Sequence, residues 1–185
     1  DPTPLYLSGR LLSALCGTLT IVVVYLIGAR LRGVTAGLIG AALLAVAPFA
    51  VQDAHYVKHD VPVTLLIMLV PLALTSSSPR RLWWAGAAAG LAMSTHYYAV
   101  FAALVITAER LTAEVPWRVR VTGLMQAGVA AAVVFLAASP FLLPEWRTAW
   151  VDITQNRAIV MDRATSSAGA FGYLGTYLRW LTSDH

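Results

Sequence analysis

The sequence predicts an all-α protein, a polytopic bundle of about six membrane-spanning helices. Of its 185 residues, 58% are hydrophobic and only 12% are charged, and the mean hydropathy is +0.70. Apolar runs approach the ~20 residues that a helix needs to cross a bilayer, and they recur along the chain. The single cysteine, Cys16, lies inside such a run. This composition excludes an ordinary soluble domain, a disulfide framework and a thiolate metal site.

The order of apolar runs and basic residues predicts the topology. The expected membrane segments are residues 11–29, 35–51, 61–75, two halves of 82–108 that meet at His96, and 121–143. A hairpin at His96 places seven of the thirteen basic residues on one side of the membrane. They are Arg30, Arg32, Arg80, Arg81, Arg110, Arg118 and Arg120. The positive-inside rule favours this arrangement and assigns that side to the cytoplasm.

Two parts of the chain are expected. Residues 1–143 form the predicted transmembrane region of a catalytic module, and residues 144–185 form an extracytoplasmic segment. Trp146, Trp150 and Ile153 recur at helical spacing, which predicts a juxtamembrane helix there. The chain begins without a methionine, a basic n-region or a cleavage site, which predicts an internal piece of a longer protein. The net charge of +4 follows the positive-inside bias, so no nucleic-acid partner is expected.

Polar residues are concentrated between the second and third apolar runs. This stretch, residues 52–60, contains two acids, two histidines and the only lysine. The candidate site residues in it are Asp53, His55, Lys58, His59 and Asp60. Ionisable groups at the edge of a membrane segment are costly to retain, so they indicate a functional site. The alternative is a solvated loop without a function.

Asp60 begins the third predicted span, where the helix dipole favours its ionised form. We interpret it as the candidate catalytic residue, a fixed anion that can hold a cationic group, a sugar hydroxyl or a metal ion. Lys58 is a mobile point charge suited to a phosphate, and Arg10, just before the first span, can bind a phosphate with two donors. The alternatives are a lysine that snorkels to the interface and an arginine that anchors a helix end.

Histidines suggest two further groupings. His55 and His59 are four residues apart and could form a nitrogen and oxygen metal site with Asp53 or Asp60, although structural histidines show the same spacing. No metal ligand is therefore assigned, and a divalent cation is the only cofactor considered. His96 and Tyr97 join the candidate substrate-binding residues from the tip of the hairpin. Interface tyrosines such as Tyr97 and Tyr98 are also typical of an aromatic belt.

Several short segments, taken in order, carry a resemblance to a known family. They are residues 9–17, 25–31 and 37–45, then Pro48, His55-Tyr56, Asp60-Val61-Pro62, and residues 89–92 before His96-Tyr97. Their order and spacing resemble the polyprenyl-phosphate-sugar glycosyltransferases of the GT-C superfamily. The likeness covers most of residues 5–110. Within the superfamily, the sequence is most similar to the bacterial branch that resembles protein O-mannosyltransferases and the aminoarabinose transferases of lipid A.

The resemblance implies an inverting enzyme of the bacterial cytoplasmic membrane whose site faces the extracytoplasmic side. It would move a sugar from a polyprenyl-phosphate donor to a lipid, glycan or protein acceptor. The family's catalytic base precedes the segment that matches Arg10, so this chain is expected to lack it. Asp60 matches a second family acid that lines the cavity. Histidines stand at His55, where the family often has arginine, and at His96, where it often has lysine. Phosphate binding at these two positions would require protonated histidines. Lys58 and Arg10 are expected to hold the phosphate, with His96 as a further candidate.

Two other function classes stay open on the sequence. A transporter or permease could use Asp53, His55, His59 and Asp60 as a proton or metal relay, but it would need acids in mid-span, where this chain has none. A non-catalytic assembly subunit would tolerate alanine throughout the polar stretch.

Overall fold

The structure is a computed structural model, and it describes the backbone of residues 3–166 and the side chains of residues 3–159. The described residues form helices and no strands, which confirms the all-α class. The α-helices are α1 (Thr3–Arg32), α2 (Val34–Ala45), α3 (Pro48–Ala54), α4 (Asp60–Leu74), α5 (Arg81–Thr95), α6 (Ala102–Thr112), α7 (Trp117–Ala138) and α8 (Trp146–Ser166). Two 3-10 helices cover Tyr97–Phe101 and Pro140–Leu142.

Helix α1 has 30 residues and one buried face made of small side chains. Its buried residues, Ser13, Cys16, Thr20 and Val23, recur at spacings of three and four and therefore share one side of the helix. The Thr20 hydroxyl donates to the carbonyl oxygen of Cys16 at 2.8 Å, so this polar group has a partner within the helix. The apolar residues on the other faces are exposed and suit contact with lipid.

Glycines set the sharp reversal from α1 to α2. Gly33 has a φ of +93° and ends α1 in a conformation that other residues rarely adopt. A Cβ at Gly37 would lie 2.5 Å from the carbonyl oxygen of Tyr25, and one at Gly28 would lie 2.7 Å from the Cα of Gly37. The absence of side chains at these positions lets the two helices pack in direct backbone contact.

The predicted span over residues 35–51 is not one straight helix. Helices α2 and α3 are separated by a short break and bend by 64°. Pro48 begins α3, and the preceding Ala47 is extended, with φ −67° and ψ 117°. Proline has no N–H group and disfavours helical geometry in the residue before it, so α2 stops and the chain changes direction. The bend brings the end of α3 beside the start of α4.

Helices α5 and α6 form the predicted hairpin. His96 is extended, with φ −155° and ψ 135°, and it separates α5 from the 3-10 helix that leads into α6. The Arg81 guanidinium donates to the Glu109 carboxylate at 3.0 Å, which places the start of α5 beside the end of α6. The chain therefore reverses at His96.

The contact between α5 and α7 depends on two further glycines. A Cβ at Gly86 would lie 2.1 Å from the Ala127 carbonyl oxygen, and one at Gly90 would lie 2.2 Å from that of Ala131. Interfaces of small residues allow this approach between membrane helices, where the surrounding lipid is as apolar as the helices themselves. Helix α4 packs between this pair and α1.

Two described helices, α1 and α7, are long and apolar enough to cross a membrane. The bent pair of α2 and α3 makes a third if it counts as one span, and α4 is apolar but shorter. These two or three helices support the polytopic class. The count of about six segments stays a prediction.

The chain divides into two units between Ser139 and Pro140. Helix α7 ends at Ala138, so the predicted last span over residues 121–143 stops short, because a proline cannot continue a helix without losing a backbone hydrogen bond. In the second unit, Trp146, Trp150 and Ile153 lie on α8, where the sequence predicts a helix. The predicted extracytoplasmic segment continues through residues 167–185, which lie outside the described residues.

Candidate functional site

The polar stretch folds as the end of α3, a short connection and the first turn of α4. Asp53 lies in the last turn of α3, and Asp60 is the first residue of α4. The N–H groups of a helix's first turn carry partial positive charge, and Asp60 stands at this end of α4. The Thr64 hydroxyl donates to the Asp60 carbonyl oxygen at 2.7 Å.

Lys58 bridges the two carboxylates. Its Nζ lies 3.0 Å from Asp53 Oδ1 and 3.8 Å from Asp60 Oδ2. The hydrogen bond to Asp53, assisted by the charges of both acids, raises the pKa of Lys58. The lysine therefore stays cationic at neutral pH and lies between the two acidic side chains.

The other oxygen of Asp60 faces a tyrosine. The Tyr98 hydroxyl donates to Asp60 Oδ1 at 3.2 Å, and His59 Nε2 lies 3.6 Å from the same oxygen. Tyr98 is in the turn between α5 and α6, outside the apolar helices, and burial, followed by the neighbouring Asp60, raises the pKa of its phenol. The phenol therefore stays neutral and can donate a hydrogen bond to the carboxylate.

Four aromatic rings connect the hairpin turn to the polar connection. His59 stacks on His96 with ring centroids 4.7 Å apart and planes 8° from parallel. The His96 ring lies 4.6 Å from that of Tyr97 and 4.2 Å from that of Tyr98, both tilted. His96 Nδ1 accepts a hydrogen bond from the backbone N–H of Tyr98 at 3.4 Å, so this nitrogen is unprotonated in that contact.

Arg10 and His55 form a second polar pair nearby. Arg10 Nε donates to the His55 carbonyl oxygen at 2.8 Å, and the guanidinium lies over the Tyr6 ring at 5.1 Å. His55 Nδ1 lies 2.7 Å from the Val51 carbonyl oxygen, which can only accept, so Nδ1 carries the proton and Nε2 can bind another group. Among residues 3–159, the two terminal nitrogens of Arg10 have no hydrogen-bond partner.

A pocket opens beside this cluster. Its volume is about 300 Å³, and its walls come from α1, α2, α3 and α4. Asp53, His55 and Asp60 line part of it, whereas most of its remaining lining is apolar. The structure therefore joins an apolar cavity to two carboxylates, a geometry that suits an amphiphilic ligand.

Residues 6–143 match the family model described as dolichyl-phosphate-mannose-protein mannosyltransferase. The chain belongs to this family. The match covers well over half of its 185 residues, and it identifies the protein as a membrane glycosyltransferase of the GT-C type. No curated protein and no solved structure matches the chain.

In this member of the mannosyltransferase family, the residues predicted for the site lie at one end of the first unit. Lys58 pairs with Asp53 and Asp60, and His59 pairs with Asp60. His96 joins them by stacking on His59. Arg10 and His55 pair beside them.

Tyr97 and Tyr98 have different surroundings in the hairpin turn. Tyr97, a predicted substrate ligand, is 59% exposed, and its ring contacts His96. Tyr98, which the sequence also allows in an aromatic belt, donates its hydroxyl to Asp60, from which it is separated by 38 positions. No local pattern signals this contact, because it depends on how the α5–α6 hairpin packs against α4.

The histidines and acids considered for a metal site do not form a preformed set of ligands among the described residues. Within the part of the chain that the structure describes, no three His, Cys, Asp or Glu side chains are close enough to hold a metal ion. The Nδ1 of His55 donates a hydrogen bond to the Val51 carbonyl oxygen, and Lys58 lies between Asp53 and Asp60. In this protein, the position between the two carboxylates is therefore taken by the lysine ammonium group.

Proposed function

We propose that this glycosyltransferase moves a sugar from a polyprenyl-phosphate donor to an acceptor on the extracytoplasmic face of a bacterial cytoplasmic membrane. The observation that carries the proposal is the Asp60 carboxylate, held at a helix N-terminus on the wall of a mainly apolar pocket in a chain of this family. The acceptor is a lipid, a glycan or a protein, and the transfer inverts the configuration of the sugar.

The pocket and the cations suit the two parts of such a donor. The apolar lining can take the first isoprene units of the carrier, whose burial is favourable in proportion to the apolar area removed from water. Arg10 has two terminal nitrogens available for a phosphate, whereas Lys58 must first leave its carboxylates. Arg10 is therefore the first phosphate ligand, and Lys58 follows as the departing phosphate gains charge.

Asp60 acts on the sugar or on the acceptor hydroxyl. Transfer from a lipid phosphate passes through a sugar centre with cationic character, which a fixed carboxylate stabilises, and the attacking hydroxyl needs an acceptor for its hydrogen bond. Asp60 Oδ2 is the oxygen available for this role once Lys58 turns to the phosphate, because Oδ1 already receives the Tyr98 hydroxyl. The family resemblance implies a separate carboxylate base that takes the proton of the attacking hydroxyl.

The test is transfer of radiolabelled sugar from polyprenyl-phosphate donors in membranes that contain the complete protein. Asp60→Asn preserves the shape of the side chain and removes its charge, so we expect transfer to fall about 100-fold or more, as when one transition-state contact is removed elsewhere. Glu114→Gln makes the same change of charge at a residue outside the site and should transfer as wild type. Normal transfer by Asp60→Asn would refute the assignment.

The same assay decides between the other open functions. A chelator that abolishes transfer would show that a divalent cation is required. Absence of transfer from every donor, together with proton or solute flux in proteoliposomes, would instead support a transporter. The segment over residues 144–185 is proposed to lie on the extracytoplasmic side and to contribute to the choice of acceptor.

A further inference from the structure

We propose that Tyr98 is a positioning residue for Asp60, whose hydroxyl fixes Oδ1 of the carboxylate so that Oδ2 is presented to the substrate. This inference rests on the role proposed for Asp60. It adds a residue to the site that is outside the polar stretch and lies on a different part of the fold.

The Tyr98 side chain is held by packing against a cluster to which the helix that carries Asp60 contributes. It packs against a small cluster whose buried members are Val63, Ala92 and Ala99. Val63 is fully buried and follows Asp60 by three residues on α4, so both side chains lie on the same face of that helix. The cluster thus joins the turn that carries Tyr98 to the helix that carries Asp60, and this packing restricts the position of the Tyr98 hydroxyl relative to the Asp60 carboxylate.

The backbone of Tyr98 is held as well. Its N–H donates to His96 Nδ1, and it lies in the 3-10 helix that begins at Tyr97. The His96 ring in turn stacks on His59, which precedes Asp60. Two independent contacts thus hold the hairpin turn against the start of α4, and the hydroxyl has little freedom to move away from Oδ1.

The other partners of Asp60 are less suited to hold it during a reaction. Lys58 and His59 have side chains that are 47% and 56% exposed, and both lie farther from the carboxylate oxygens than Tyr98 does. Lys58 can turn toward an incoming phosphate, whereas the His59 ring stays stacked on His96 and is only a distant partner of the carboxylate. Tyr98 is neutral and part-buried, so it can keep its hydrogen bond while these charges rearrange.

The test compares Tyr98→Phe with wild type in the transfer assay on the complete protein. Loss of one hydrogen bond to a charged group should lower kcat roughly tenfold, because the carboxylate is less well oriented. The KM for the donor should change little, since Tyr98 is not expected to touch it. Tyr56→Phe removes the hydroxyl of a half-exposed tyrosine that has no side-chain partner among the described residues, and it should leave both constants unchanged.

A double-mutant cycle separates this inference from the proposed function. In the Asp60→Asn background, Tyr98→Phe should cause no further loss of transfer. If residual transfer is too small to measure, the unfolding temperatures of the same four proteins are compared, and Tyr98→Phe should lower the unfolding temperature less in the Asp60→Asn background than in wild type. Equal losses in both backgrounds would overturn the inference. Wild-type kinetics in Tyr98→Phe, with transfer still abolished by Asp60→Asn, would overturn it and leave the proposed function standing. Normal transfer by Asp60→Asn would overturn both.

Discussion

The two ends of the helical unit before Ser139 use their charged residues differently. The carboxylate end contains Arg10, Asp53, His55, Lys58, His59, Asp60, His96 and Tyr98. The arginine end contains Arg30, Arg81, Glu109, Arg110 and Arg120. At the arginine end, the guanidinium groups donate to helix termini or to one carboxylate. At the carboxylate end, each ion pair joins one exposed side chain to another.

Three arginines donate hydrogen bonds to carbonyl oxygens at the C-terminal ends of helices. Arg30 and Arg81 donate to carbonyl oxygens in the last turn of α4, each at 3.1 Å. Arg120 donates to the Leu111 carbonyl oxygen at the end of α6 at 2.8 Å. The last carbonyls of a helix have no partner within it and carry partial negative charge, so cations stabilise them. The role of these residues is therefore structural.

Glu109 neutralises the most buried charge at this end. Arg110 is only 4% exposed, and its guanidinium binds both oxygens of the Glu109 carboxylate. This hydrogen bonding raises the pKa of Arg110. A Cβ on Gly123 would lie 3.0 Å from Arg110 Cδ, so the glycine leaves room for the arginine stem. The Arg110 charge is therefore enclosed by protein and paired with Glu109.

The carboxylate end has the opposite character. The side chains of Asp53, Lys58, His59 and Asp60 are 38% to 56% exposed. Exposed ion pairs contribute little to folding, so stability does not account for this cluster. The comparison teaches that polar residues in this apolar chain stabilise the fold where they meet helix ends or form largely buried pairs, and are available for chemistry where their pairs are exposed.

The largest expected effect is on stability at the arginine end. Glu109→Gln removes the counter-charge of Arg110, and we expect unfolding to require about 2 kcal/mol less. This is below the cost for a fully buried pair, because the Glu109 side chain is 25% exposed. Thermal unfolding in detergent measures it, with Glu114→Gln as a control that has no ion pair within the described residues. Equal stability of the two variants would contradict the structural role of the cluster.

A pair of arginines on α1 compares the two ends within one helix. Arg10→Met should raise the KM for the donor about tenfold, the equivalent of about 1.4 kcal/mol, because a phosphate ligand is lost. Arg30→Met should instead lower stability by about 1 kcal/mol and leave KM unchanged, because it removes a donor from the end of α4. Transfer kinetics and thermal unfolding of both variants check this. A similar rise in KM for Arg30→Met would contradict the conclusion that only the carboxylate end binds the donor.

The smallest expected effect is spectroscopic. Because the pKa of Tyr98 is raised, its phenol should ionise above the usual value of about 10. Stability that depends on the neutral phenol is complete below that value and is lost as the pH rises through the higher, folded-state pKa. The ultraviolet titration of wild type minus that of Tyr98→Phe isolates this phenol. In Asp60→Asn the pKa should fall part of the way back, since burial remains but the carboxylate is gone.

Much of the fold could be predicted because its signals are local. Apolar runs predicted the helical class, and basic residues predicted the hairpin at His96. Asp60 was expected to begin a helix and does so. The break at Pro48 also had a local signal, but the long apolar run around it favoured one continuous span. The candidate site residues came from the density of polar groups in residues 52–60, and their roles stay predictions.

The sequence by itself determined that this is a helical membrane protein whose polar residues concentrate at one connection, since hydropathy and composition act over neighbouring positions. Only the tertiary structure decided which groups meet. Asp60 and Tyr98 are 38 positions apart, and Arg81 and Glu109 are 28 apart. Their distances in space depend on how closely whole helices approach and on the direction of each turn. Those quantities arise from packing between helices, which no stretch of the chain specifies alone.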